Sequence, residues 1–339
     1  MQIQQNFSLK PYNTFGINVQ AAYLSNFASL DELAELTEFC YEKNKLPQLV
    51  LGGGSNVLFT QDFRGIILKN ELKGIELVKE DLSYYFVKSA AGENWHRFVL
   101  FCLNNNYAGV ENLSLIPGNV GASPIQNIGA YGVETKDVFY ELEAWHLQDK
   151  KLVTFAAEDC KFDYRDSVFK TKYKGQYVIT SVTFRLFKKP AYHTKYGAIE
   201  QELTAMGITE LSIKAISDAV INIRQRKLPD PEVIGNAGSF FKNPTIPASR
   251  FKSLKITHPS LPGYPAVNDL VKVPAGWLIE QCGWKGFRKG DAGCHEKQAL
   301  VLINYGNASG IDIYTLSNEI MHSVETTFGI LLEREVNII

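Results

Sequence analysis

The chain has 339 residues, 45% hydrophobic and 21% charged, with 35 Lys and Arg against 36 Asp and Glu. At roughly 100–200 residues per domain this length predicts about two domains with ample interior. The balance excludes a disordered chain, a coiled coil and the broadly basic surface of a nucleic-acid binder. Five scattered cysteines without CxxC spacing support neither a disulfide framework nor a zinc site and suit a reducing, cytoplasmic setting.

The first residues, MQIQQNFSLKPYNTFG, lack the basic and apolar regions of an export signal. Ser29 and Glu32 form a capping-box pattern, and Leu30, Leu33, Ala34, Leu36, Phe39 and Cys40 predict a helix to about Lys45. An apolar strand over 48–51 enters GGGSNVL, and GIILK from Gly65 predicts a second strand, so the first seventy residues read as a small α/β lobe.

SYYFVKSAAG from Ser83 predicts a strand, and residues 93–105 an amphipathic helix. Residues 112–133 then run 22 residues without a charge. Their glycines, Pro117, Pro124 and three asparagines exclude a membrane span, leaving a polar loop of the kind that lies against something. FYELEAWHLQDKKLVTFA predicts a hairpin turning at Asp149-Lys150. YVITSVTFRLF places Val178, Val182, Phe184 and Leu186 on one face of a half-buried strand. Ile213, Ile216, Val220 and Ile223 mark a helix that stops at Lys227-Leu228-Pro229-Asp230-Pro231, the expected domain boundary. A short helix from Pro274 to about Cys282, a longer one over 311–328 closed by Gly329, and a terminal strand ILLEREVNII complete the chain.

Chemistry is suggested at several places. Gly52, Gly53 and Gly54, followed by Ser55 and Asn56, come directly after a strand, where backbone N–H groups can approach an anion closely. The same residues would equally make a tight turn, and they match neither the Rossmann fingerprint nor a P-loop. The charge-free loop offers a second such cluster, Gly118, Gly121, Ala122, Ser123, Gln126, Asn127 and Gly129, with Tyr131 available to lie against a ring system. Arg165 is either a surface ion pair with Asp163 and Asp166 or a carboxylate clamp. Residues 221–255 hold seven Lys and Arg against Asp230 and Glu232, a net +5 that suggests an anionic ligand. Within that run, Ser239 follows a flexible Gly-Ala-Gly beside Lys242 and Asn243, with no GxSxG elbow. Glu333 and Glu335 would share one face of the terminal strand. The six histidines have no metal-ligand spacing, and no metal site is expected.

NTFGI, LGGGSNVL, GAGENWH, IPGNVGASPIQNIGAYGVE, YRDSVFK, RQRKLPDP, GNAGSFFKNP, AGWLIEQCG and LEREV occur in this order over nearly the whole chain. Together they resemble the UDP-N-acetylenolpyruvoylglucosamine reductases, the MurB flavoenzymes of bacterial cell-wall precursor synthesis. The resemblance implies a mixed α+β chain. Residues 1–225 would form a vanillyl-alcohol-oxidase (PCMH) type FAD-binding domain, in lobes of about 1–70 and 71–225. Residues 226–339 would form a smaller α/β substrate domain whose C-terminal strand returns to the active site. FAD would be held noncovalently by the two glycine-serine loops.

The implied reaction has two halves: NADPH as co-substrate reduces the flavin, which then passes hydride to C3 of the enolpyruvyl group of the UDP-sugar. Ser239 corresponds to the family's proton donor to C2, Arg165 to the arginine on the substrate carboxylate, and Glu335 to the acid that stabilises the developing enolate. Lys242 is a candidate for raising the acidity of Ser239. Lys195-Tyr196-Gly197 matches the tyrosine loop of the longer type I members, and Lys227 and Asn243 match other diphosphate contacts. A monomer is expected, with no nucleic-acid partner and no membrane insertion. Another PCMH-type oxidase, or a non-catalytic nucleotide-sugar or flavin carrier, would explain fewer of these motifs.

Overall fold

A computed structural model describes residues 2–43 and 46–339. The chain forms two compact units, one of residues 1–7, 21–54 and 64–226, the other of 8–20, 55–63 and 227–339. The expected partition took residues 1–225 as one piece; the structure instead groups two short early segments with the C-terminal part.

The first unit holds the small hairpin Gly129–Ala130 with Val133–Glu134 and two larger sheets. One has the order Gln4–Ser8, Gln20–Phe27, Phe63–Asn70, Gln48–Leu51. The last two strands run parallel, with Leu51 opposite Lys69. The helix Leu30–Glu42 packs Leu33, Leu36 and Cys40 against Phe27, Ile66 and Leu68. Ser29 caps this helix, but Glu32 reaches one residue further back than a capping box requires, accepting from Ala28 N–H at 2.7 Å. The expected end at Lys45 lies outside the described residues.

The other sheet is antiparallel, in the order Lys151–Ala156, Phe139–His146, Tyr177–Phe187, Tyr84–Ala90, Ile75–Glu80. The helix Trp95–Asn104, capped by Asn94, fills its core with Trp95, Phe98 and Cys102. Strand Tyr177–Phe187 is buried on both faces from Val178 to Phe184, which corrects the half-buried reading. Its register advances two residues for one between Ser181 and Ile179, leaving Thr180 as a bulge. Val178 therefore packs in the helix Leu30–Glu42 core, while Ile179, Val182 and Phe184 share the other. Helices Ile199–Ala205 and Ile213–Lys227 form a third cluster through Leu203, Ile216, Val220 and Ile223.

The second unit is built on an antiparallel sheet ordered Gly235–Ser239, Val301–Asn304, Ala292–Cys294, Arg288–Lys289. A smaller sheet is ordered Thr245–Pro247, Leu270–Lys272, Tyr264–Ala266. Helices Ala248–Thr257, Ala275–Gln281 and Gly310–Phe328 complete it. The longest has a full capping box between Ser309 and Asp312 and ends at Gly329, whose φ of 59° suits the left-handed position.

Backbone contacts explain why residues 8–20 and 55–63 belong here. Asn304 donates to the Phe15 carbonyl at 2.9 Å, Val57–Leu58 pairs parallel with Asn337–Ile338, and Thr60 N–H donates to the Ile339 carbonyl at 2.9 Å. The terminal segment is a strand only at Asn337–Ile338, which corrects the longer expectation. Upstream it makes an isolated bridge, Arg334 to Phe241, flanked by Lys242 N–H to Glu333 carbonyl and Glu335 N–H to Phe240 carbonyl.

Candidate functional site

Two loops of the first unit form a backbone cradle. A Cβ on Gly53 would lie 2.9 Å from Gly118 Cα, and one on Gly52 3.3 Å from Asn119 Cβ, so the turns meet at a distance only glycine permits. Gly121 is packed still more tightly, its missing Cβ 2.6 Å from that of Ala91. The charge-free stretch is not plain loop: it contains 3-10 turns at Glu111–Leu113 and Val120–Ala122, and the hairpin Gly129–Ala130 with Val133–Glu134.

The N–H groups divide into spent and available. Gly121, Ala122 and Ser123 donate to the carbonyls of Ala91, Asn119 and Val120. Gly53, Gly118 and Asn119 have no hydrogen-bond partner for their N–H among the described residues. The Ser123 hydroxyl is buried without a partner as well. Gly53 is exposed and Gly118 and Asn119 are half-buried, so their unpaired N–H groups face an opening that an acceptor can enter, with the Ser123 hydroxyl buried behind them, and a diphosphate is such an acceptor. These residues therefore fit the pyrophosphate of a dinucleotide.

Other expected cradle residues serve the scaffold. Asn127, fully buried with φ 44°, donates to Glu134 and to the Asp163 carbonyl and accepts from Lys136 N–H. In the second unit, Asn56 donates to the Glu335 carbonyl at 3.3 Å and its own carbonyl accepts from Asn337. Ser55 lies beside it in the same unit.

Tyr131 sits at φ 50°, followed by Gly132 at 82°, and Asn112 holds its carbonyl at 3.0 Å. The same Asn112 amide donates to the His193 carbonyl at 2.8 Å, tying this turn to the segment that carries Tyr196. Tyr196 and Tyr131 pack over each other's following glycine: a Cβ on Gly132 would be 3.3 Å from Tyr196, and one on Gly197 3.4 Å from the Tyr131 ring. Tyr196 itself is 55% exposed.

Arg165, at φ 55°, donates to the Gly129 carbonyl and, at 3.4 Å, to the Asn127 carbonyl, with Glu134 at 3.5 Å. The local reading named Asp163 and Asp166 as partners and did not find Glu134. Those two residues bond to each other through their backbones, forming the turn that displays Arg165.

Sequence reasoning also missed Arg224 as a distinct group. It follows Ile223 and lies four residues after Val220, which places it beside the apolar stripe of its helix, a periodicity that could have separated it from Arg226. Its Nε is buried without an acceptor, and it has no carboxylate partner among the described residues. Burial pushes its guanidinium below the ordinary range, opposed by Tyr131, and burial together with Arg224 lowers the His96 pKa.

In the second unit Ser239 closes its strand after Gly238, whose φ is 69°. The ladder with Val301–Asn304 is irregular between Asn236 and Ser239, so the serine, opposite Val301, is displayed directly after a bulge, exposed, its hydroxyl unpartnered among the described residues. Glu335 is bonded through its N–H to the carbonyl of the next residue, Phe240, at 2.8 Å. The structure thus brings Ser239 and Glu335 to adjoining backbone positions.

Lys242 is occupied otherwise than expected: its ammonium pairs with Glu333 at 2.5 Å, which accounts for that glutamate and removes the lysine as a free neighbour of Ser239. Asn243 accepts from Ala275 N–H at 2.9 Å, capping a helix from a distance. The +5 run is largely spent within the fold, Arg226 on Glu202, Arg250 on the Gly329 carbonyl, and Lys255 on the carbonyls of Pro259 and Leu261. Lys227 ends its helix exposed.

Comparison with known proteins gives a consistent result. Residues 21–155 match the model of an FAD binding domain, and residues 230–339 that of the C-terminal domain of UDP-N-acetylenolpyruvoylglucosamine reductase. The reductase of that name from Flavobacterium johnsoniae is 49% identical over 340 residues, covering 100% of both chains. That of Amoebophilus asiaticus is 50% identical over 339 residues, also with 100% coverage of both. Among solved structures, the Thermus caldophilus UDP-N-acetylenolpyruvylglucosamine reductase superposes with a TM-score of 0.70 at 23% identity, covering 100% of this chain and 99% of that one. p-Cresol methylhydroxylase superposes with a TM-score of 0.52 at 12% identity, over 98% of this chain and 84% of that one. The two structural likenesses establish a PCMH-type fold.

Proposed function

The chain belongs to the UDP-N-acetylenolpyruvoylglucosamine reductase family, FAD-binding oxidoreductases of peptidoglycan precursor synthesis, and from that premise we propose how its residues act. The reaction is the NADPH-dependent reduction of UDP-N-acetylglucosamine enolpyruvate to UDP-N-acetylmuramate. FAD, held noncovalently, supplies the two-electron relay between NADPH and the enolpyruvyl double bond. Gly53, Gly118 and Asn119 offer N–H donors and Ser123 a hydroxyl to its diphosphate.

Arg165 binds the substrate carboxylate, onto which charge spreads as the double bond is reduced. Its planar fork, already set by the Gly129 and Asn127 carbonyls, opposes that charge where it grows. Ser239 Oγ delivers the proton to C2, and Glu335 stabilises the developing enolate. Tyr196, Lys227 and Asn243 serve the diphosphate of the UDP-sugar.

The observation that carries this reading is Ser239 itself, a hydroxyl unpartnered among the described residues, directly after a bulge and beside a backbone-anchored Glu335. Ser239→Ala tests it. Stopped-flow absorbance should show flavin reduction by NADPH within about twofold of wild type and reoxidation by the UDP-sugar slowed at least ~100-fold, the lower end of the range for a general acid. Equal loss in both half-reactions would remove Ser239 from the proton step.

A further inference from the structure

We propose that Lys69 is a positioning residue for the flavin diphosphate, pinning the first glycine turn from behind and adding positive charge to a cradle that has none of its own. The proposal rests on the cradle reading above and adds to it a residue outside both glycine loops.

Lys69 lies opposite Leu51 in the parallel ladder, at the point where the strand enters the glycine turn. Its ammonium donates to the Gly52 carbonyl. No peptide bond among the described residues is cis, so the Gly52 carbonyl and the Gly53 N–H, which share one peptide plane, point in opposite directions. Fixing the carbonyl on Lys69 therefore aims the unpaired Gly53 N–H away from the lysine.

Two further observations favour a role for the charge. Lys69 makes no salt bridge among the described residues, and burial lowers its pKa and so opposes the charged form, which the nearby Glu71 carboxylate favours. Residues 51–56 and 112–133 carry no charge. A half-buried ammonium hydrogen-bonded to a carbonyl rather than to a carboxylate adds positive field at the turn, offset in part by Glu71, and a diphosphate would take it up. Lys73 differs: it donates to the Gly92 carbonyl at 2.5 Å, the oxygen that also takes the Asn119 amide at 3.0 Å, but it is paired with Glu93 at 3.8 Å.

The test uses the full chain stripped of FAD and titrated with it, the dissociation constant read from quenching of flavin fluorescence at several salt concentrations. Lys69→Met should weaken FAD at least ~10-fold at low salt and flatten the salt dependence, whereas Lys69→Arg, which keeps charge and donors, should stay within about threefold with the wild-type slope. Gly53→Ala, which alters the cradle without touching Lys69, should weaken FAD in every case. If Gly53→Ala weakens FAD and Lys69→Met leaves affinity and salt slope unchanged, the Lys69 proposal is overturned and the cradle stands. If neither variant changes FAD affinity, the cradle reading fails and the proposal with it.

Discussion

Ser239, Arg165 and Tyr131 each owe their placement to backbone that ordinary strands and helices do not use. Ser239 follows a glycine at φ 69°, while Arg165 and Tyr131 themselves sit at 55° and 50°. Such conformations cost of order 1–3 kcal/mol for residues with a Cβ and persist where the surroundings dictate them. Here those surroundings are visible, Asn112 on the Tyr131 carbonyl and the paired Asp163 and Asp166 backbones around Arg165. Tyr196 is the opposite case, exposed and lightly held, as a group that meets a ligand can be. Tyr196→Phe should therefore leave Tm unchanged and raise KM for the UDP-sugar roughly tenfold, the worth of one hydrogen bond to a charged group. A steady-state titration returning the wild-type KM would count against its place on the diphosphate.

At the scale of elements, the second unit depends on close backbone approach. A Cβ on Gly310 would stand 1.7 Å from the Phe59 carbonyl oxygen, so the helix Gly310–Phe328 can begin where it does only with glycine there. Gly310→Ala should cost about 3 kcal/mol or more, a fall in Tm of roughly 6 °C or greater by calorimetry. An unshifted Tm would mean that residues 55–63 do not lie where they are described. Elements with local signals are readable in advance: the caps at Ser29 and Gly329, the turn at Lys150 and the run Gln48–Leu51 need only neighbours within a few residues. The terminal segment misleads because its apolar, alternating residues have the right composition for a strand, yet only a single bridge and two end residues find a ladder. The bulge at Thr180, which sends Val178 and Ile179 into different cores, leaves no trace in a period-two pattern.

For the whole molecule, the near-neutral charge total conceals a division of labour. The nine ordered motifs make the family legible, and with it the residues proposed above as catalytic, because each motif surrounds a position where backbone geometry or chemistry tolerates few alternatives. What they do not reveal is how cations are allotted. Lys242 and Arg226 look free in sequence and are bound to Glu333 and Glu202, while Arg224 and Lys69 look ordinary and make no salt bridge among the described residues. Such assignments depend on residues tens of positions apart, beyond any local pattern. The two units also interleave in sequence, because Phe15 and Leu58 offer carbonyls to the C-terminal part. The account as a whole stands on one anaerobic experiment. Purified protein should be yellow, lose that absorbance on adding NADPH, and recover it without oxygen when the enolpyruvyl UDP-sugar is added. A colourless protein, or one that bleaches and recovers only on admitting oxygen, would contradict it.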